Sequence, residues 1–146
     1  MTCVLCDENG GDVLWKNALV RVVLATDEPA WPGFCRVIWH AHVAEFSDLE
    51  SGDRHYLMQA VCAVERAVRR VMQPDKINLA SLGNQVPHLH WHVIPRFAND
   101  GQFPLPVWAP RQRQVCAALQ DARAAQATRL REAVVQEMQQ LALPTA

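Results

Sequence analysis

His88-Leu89-His90-Trp91-His92-Val93-Ile94 decides how this chain is read. Three histidines occupy alternate positions, and Leu89, Trp91 and Val93 fill the positions between. A strand sends successive side chains to opposite faces, so the imidazoles share one face while the apolar residues pack behind them. Pro87 suits a strand start, and Pro95, which lacks an N–H, is expected to end the ladder. At a rise of about 3.3 Å per residue, His88 and His92 stand about 13 Å apart. A tetrahedral metal with ligand bonds of about 2 Å therefore does not collect all three rings, although two neighbours can share one.

Upstream, Val13-Leu14-Trp15 and Leu19 to Leu24 read as hairpin strands joined by Lys16-Asn17-Ala18. Residues 26–33, rich in Pro, form a loop with Asp27 near its start, and residues 34–39 form the next strand. His40 and His42 follow at i, i+2, and either is able to reach a metal. Ser47-Asp48-Leu49-Glu50 is a helix-start pattern with side chains suited to capping. A helix over 51–72 follows, with Leu57, Val61, Val64, Val68 and Val71 as its buried stripe and His55 on its exposed first turn.

Gln73-Pro74-Asp75 stops that helix, and Lys76 to Leu82 alternates as a further strand. Gly83-Asn84-Gln85-Val86 connects it to the histidine strand. Gly83 permits a tight turn or a close approach to a ligand, and Asn84 and Gln85 offer amide donors. Residues 96–108 are too rich in Pro, Gly and aromatics for a helix and read as an ordered loop at a surface or site rim. From about 111 to 141 the composition is helical, with a break near 124–128, in a segment placed to cover the sheet or a partner subunit.

The 146 residues, 50% of them hydrophobic, fit one domain with a sizeable core. A net charge of −1 supplies no basic field for nucleic acid, though small anions remain possible ligands. The N-terminus lacks a signal-peptide layout and no run approaches the roughly 20 apolar residues of a membrane span, so a cytoplasmic protein without membrane association is expected. Of five cysteines, Cys35, Cys62 and Cys116 stand singly in apolar stretches, where reduced, buried thiols are expected. Cys3-x2-Cys6 has zinc-binding spacing, but a closed site needs two more ligands from elsewhere.

The segment His88 to Ile94 resembles the His-φ-His-φ-His-φ-φ signature, φ being apolar, of the histidine triad (HIT) superfamily of nucleotide hydrolases and transferases. Residues 34–43 resemble that family's strand ending in a proline-basic-His stretch, with Trp39-His40 here in place of the usual Pro-Lys pair, and Asn78 through His92 its Asn…Gly…His-x-His-x-His block. The resemblance implies an α+β fold, a HIT-like antiparallel five-stranded sheet with a long helix, here followed by a C-terminal helical tail. It divides the single domain 1–146 into a core of 1–103 and an extension of 104–146. It implies a homodimer that takes a nucleotide substrate beside the histidine strand.

Carried over by position, the resemblance makes His90 the nucleophile, His92 a ligand of the α-phosphate, and Asn78 the asparagine near the phosphate or leaving group. It makes Asp27 the carboxylate for ribose hydroxyls, with Gly83, Asn84 and Gln85 on the non-bridging oxygens. A neutral imidazole is able to attack phosphorus and form a covalent nucleotidyl-histidine. In zinc-containing relatives a Cys-x2-Cys pair joins an upstream His and the first triad His, which here are Cys3, Cys6, His42 and His88. Four such ligands leave no open position and mark a structural zinc. The sequence departs from the family pattern at Phe34, where many members carry His, and at Gln85, where they carry Ser or Thr. Val22, Leu24 and Ile38 are candidates for a base pocket or for plain core. Beside nucleotidyl transfer to water or an acceptor stand two other classes: a nucleotide-binding interaction protein with little catalysis, and a metalloenzyme with an open metal position.

Overall fold

A computed structural model describes residues 2–145. A short helix α1 (Val4–Asp7) precedes strands β1 (Asp12–Lys16), β2 (Val20–Leu24) and β3 (Cys35–Trp39). A single 3-10 turn (Phe46–Asp48) leads into α2 (Ser51–Met72), then β4 (Lys76–Ala80), β5 (His90–Arg96), α3 (Ala117–Ala127) and α4 (Leu130–Met138). The five strands form one antiparallel sheet in the order β1-β2-β3-β5-β4. This is the expected α+β architecture, with the histidine strand between β3 and β4.

The β1–β2 turn is built by Asn17, whose side-chain oxygen accepts from the backbone N–H groups of Leu19 and Val20, both at 2.9 Å. One face of the sheet is covered by α2. Its stripe, Leu57, Val61, Val64 and Val68, is wholly buried with Val22, Val37 and Val93. In turn α4 packs on α2 through Leu130, Val134 and Met138, so the tail covers the helix as well as the outer strand. Glu137 locks this contact by accepting from Arg66 Nε and Arg70 Nη1, each at 2.8 Å.

Several expected boundaries move. Pro95 does not end the ladder, since β5 runs to Arg96 and Pro95 stands opposite Ile77. The β3 ladder has already finished at Val93, so Pro95 sits where β5 has one neighbour only and its missing N–H is tolerated. β4 ends at Ala80, short of Leu82, and β5 begins at His90, leaving His88 on the segment leading in. Neither Ser47 nor Asp48 caps α2; those residues form the 3-10 turn, and the residue before the helix, Glu50, makes no side-chain cap. The tail becomes helical at Ala117, because residues 109–116 are tied to the preceding loop, and it breaks at 128–129. Of the three single cysteines only Cys35 is buried; Cys62 is half-buried, and Cys116 is exposed because it stands at the N-terminal end of α3, outside the core. Among the described residues no helix is long and apolar enough to cross a membrane.

Candidate active site

The face of the sheet opposite α2 carries the chemistry. His90 and His92 lie on it, with register partners Ile38 and Arg36 on β3. Both rings are buried and meet edge to face with centroids 4.9 Å apart. His90 Nδ1 lies 2.5 Å from the carbonyl oxygen of His88. A carbonyl only accepts, so Nδ1 carries the proton and Nε2 keeps its lone pair. Burial first, and the Arg36 charge after it, hold His90 below the usual imidazole range despite that hydrogen bond, so the ring is neutral at pH 7. For His92, burial, then His90 and Arg36, push the value down to about 4. His92 packs against Phe34 and Trp108, and its buried Nδ1 has no partner among the described residues.

These two rings line a cavity of about 1040 Å³. One wall is Glu8 to Asp12, a second is Thr26 to Glu28 with Arg36, and a third is Leu82 to Val86, while Trp108 stands at the mouth. The first wall follows directly from α1. It is held down by Arg21 of β2, which is buried and donates to the carbonyl oxygens of Leu5 (2.6 Å), Asn9 (2.9 Å) and Glu8 (3.1 Å). Gly10 has φ +78, and a Cβ there would come within 2.9 Å of Leu5 and Ile38 side chains, so only glycine lets the wall lie flat on the sheet.

Beside this wall Cys3, Cys6, His42 and His88 bring their donor atoms within 4.8 Å of one another. Individual separations are 3.3 Å for Cys3 Sγ to His88 Nδ1, 3.5 Å for Cys6 Sγ to either ring's Nδ1, and 3.3 Å between the two Nδ1 atoms. A tetrahedron with Zn–N of about 2.05 Å and Zn–S of about 2.3 Å has N···N edges of about 3.3 Å and S···N edges of about 3.5 Å. Four of the six edges therefore match a zinc-sized tetrahedral ion, and the other two, from Cys3 Sγ to Cys6 Sγ and to His42, lie within 4.8 Å. His88 Nε2 donates to the Trp39 carbonyl at 2.6 Å, which leaves Nδ1 as its ligating atom. His40, the other candidate on that strand, instead accepts from Arg21 Nη1 at 3.2 Å.

The remaining residues singled out from the sequence divide. Asp27, Gly83, Asn84 and Gln85 line the cavity with the two histidines. Asn78 does not. It lines a separate groove of about 550 Å³ beyond Trp108, and its side-chain oxygen accepts from Arg96 Nη1 at 2.7 Å. Val22 and Ile38 are fully buried core, and neither they nor Leu24 line the cavity. Arg36 and Trp108 belong to the cavity and carried no sequence motif. The signal for Arg36 was a charged residue inside the apolar strand Phe34 to Trp39, which only cross-strand pairing turns into a neighbour of His92. Trp108 is brought back by its loop, which Asp100 anchors by accepting from Arg96 Nε at 2.7 Å and from the N–H groups of Phe97, Gln102 and Phe103.

Residues 7–99 match the family model described as the HIT domain. The chain belongs to the HIT domain family. Its HIT domain spans the whole sheet, α2 and both site histidines. An AP-4-A phosphorylase of Mycobacterium tuberculosis is 31% identical over 105 residues, 68% of this chain. The chain spans about half of that relative, 53% of its length. The crystal structure of a histidine triad protein from Bradyrhizobium japonicum superposes with a TM-score of 0.69 at 26% identity, covering 89% of this chain and 92% of the other. A Zn-bound histidine triad family protein from Mycobacterium smegmatis shares the fold, with a TM-score of 0.65 at 21% identity over 93% of this chain and 95% of that one.

Proposed function

We propose that the chain is a nucleotidyl hydrolase or transferase cleaving at the α-phosphate of a nucleoside phosphoramidate or dinucleoside polyphosphate. The observation that carries this reading is His90: neutral, its Nδ1 proton held by the His88 carbonyl, and its Nε2 left with a lone pair in a ring that lines the cavity beside His92. That arrangement suits a nucleophile already in its reactive tautomer. His90 Nε2 attacks the α-phosphorus, the bond to the leaving amine or phosphate breaks, and the leaving group takes the electron pair and a proton from solvent. Water or an acceptor then attacks the same phosphorus and gives up a proton to solvent, the N–P bond breaks with its electron pair returning to Nε2, and His90 returns neutral. His92 and the N–H donors of the 83–86 turn grip the non-bridging oxygens where charge builds up. Asp27 holds the ribose. Asn78 enters this scheme on the leaving-group side, from the groove beyond Trp108.

Cys3, Cys6, His42 and His88 hold a structural zinc in the same proposal, supported by the tetrahedral spacing of their donors. The metal, when bound, supplies cross-linking of the N-terminal turn to the sheet; the chain's own residues do the rest. His88 fixes the strand entry and offers its carbonyl to His90, and the turn at Cys6 leads straight into the Glu8 to Asp12 wall. A homodimer belongs to the same reading, with β4 as its pairing edge. The opposite edge strand, β1, is covered by α4, and Arg131 donates to the Val13 carbonyl there.

The test is turnover of adenosine phosphoramidate and diadenosine polyphosphates by the wild type and by His90→Ala. The variant should lose at least about 10³-fold in kcat, as expected when a covalent nucleophile is removed, while retaining AMP binding. Wild-type turnover in the variant would contradict the scheme, and AMP binding without turnover by the wild-type protein would favour the interaction-protein reading.

A further inference from the structure

Arg36 stands at the floor of the cavity as the register partner of His92, with its side chain 12% exposed. Its guanidinium meets the Asp27 carboxylate end-on: Nη1 donates to Oδ1 at 2.9 Å and Nη2 to Oδ2 at 3.1 Å. Nη1 also donates to the Gly10 carbonyl at 3.1 Å, which ties the pair to the opposite wall. Asp27 is 65% exposed at its side chain, so without Arg36 this carboxylate would sample many orientations. A guanidinium has five N–H groups, and three are used here. The Nε–H and one Nη2–H remain, side by side. Each Asp27 oxygen, having accepted one hydrogen bond from Arg36, retains a lone pair.

The pair therefore offers two fixed acceptors next to two fixed donors, with no net charge. That is the complement of a vicinal diol, whose hydroxyls both donate and accept. It is a poor complement of a second phosphate. Among the charged residues lining the cavity, Glu8, Asp12, Asp27 and Glu28 are acids and Arg36 is the one Lys or Arg among the described residues, already paired.

We infer that Arg36 is a specificity-determining residue for the ribose 2′,3′-diol of the nucleotide, acting by direct hydrogen bonding and by holding Asp27 in its accepting orientation. The inference rests on the nucleotide reading above and deepens it. It makes the site selective for ribonucleotides over their deoxy counterparts through a bipartite Asp–Arg element.

The experiment is equilibrium binding of AMP, 2′-deoxy-AMP and 3′-deoxy-AMP to the wild-type protein and to Arg36→Leu, Arg36→Lys and Asp27→Asn, without turnover. The wild type should favour AMP over 2′-deoxy-AMP by about ten-fold or more, the size of one lost charge-assisted hydrogen bond. In Arg36→Leu that ratio should fall to within about two-fold, with Arg36→Lys intermediate because an ammonium keeps the charge but not the fork. If Arg36 merely braces the wall, all three ligands weaken together and the ratio survives in Arg36→Leu, which overturns the inference while leaving the nucleotide reading intact. A wild-type protein that binds none of the three overturns both. Should Arg36→Leu fail to fold, the AMP to 2′-deoxy-AMP ratio in Arg36→Lys decides: an unchanged ratio refutes the inference and a reduced one supports it.

Discussion

Replacing Asp100 with Ala tests how the loop over the site is held. Asp100 and Arg96 are 5% and 2% exposed at their side chains and meet through two hydrogen bonds, of 2.7 and 3.1 Å. Asp100 also accepts from three backbone N–H groups, those of Phe97, Gln102 and Phe103. Removing it leaves Arg96 with Asn78 and the Leu105 carbonyl as partners, neither charged. Breaking a buried pair by deleting one partner costs about 3–5 kcal/mol. At about 2–4 °C per kcal/mol for a chain of this size, the melting temperature should fall by about 10 °C. Asp100→Ala combined with Arg96→Met should recover part of that loss, though not all, because the three N–H groups stay unsatisfied. Thermal unfolding by calorimetry reads the stability. Acrylamide quenching of tryptophan fluorescence, referred to Trp108→Phe controls, reads the loop. A drop below about 2 °C, or a double variant no more stable than Asp100→Ala, would show that the Arg96 charge is not trapped by the fold.

Two further outcomes follow from the site. Metal analysis should find about one zinc per chain in the wild type and much less in Cys6→Ser, with a lower melting temperature in the variant; equal stability with and without a strong chelator would contradict a structural ion. His92, held down to about 4 mainly by burial, binds fewer protons folded than unfolded between that value and 6.5. Stability therefore falls as pH drops through 6.5 towards 4. His92→Asn should flatten that slope in denaturant titrations at successive pH values, and an unchanged slope would refute the assignment.

The alternation of His88 to Ile94 with apolar residues made the central strand legible, since a row of imidazoles facing one way needs a two-residue period. The helix over 51–72 was equally legible because its stripe is continuous, and its observed bounds agree. Pairing was not. Nothing local says that Arg36 lies opposite His92, that Arg21 reaches back to the turn after Cys6, or that Arg96 takes the Asn78 oxygen; each depends on a register or a loop closure. Pro95 misled for the same reason, because what a missing N–H costs depends on whether a neighbour is there to receive it. The grouping of Cys3, Cys6, His42 and His88 came from family resemblance, and the fold draws their donors to tetrahedral spacing.

The central claim is that His90 carries a nucleotidyl group during turnover. Acid-quenched intact-protein mass measurement during reaction with adenosine phosphoramidate tests it most directly, on the wild type and on His90→Ala. The proposed scheme predicts a mass gain of one adenylyl group on the wild type, mapped by peptide fragmentation to His90 and absent from the variant. An adenylyl group mapped to another residue, or undiminished in His90→Ala, would contradict it.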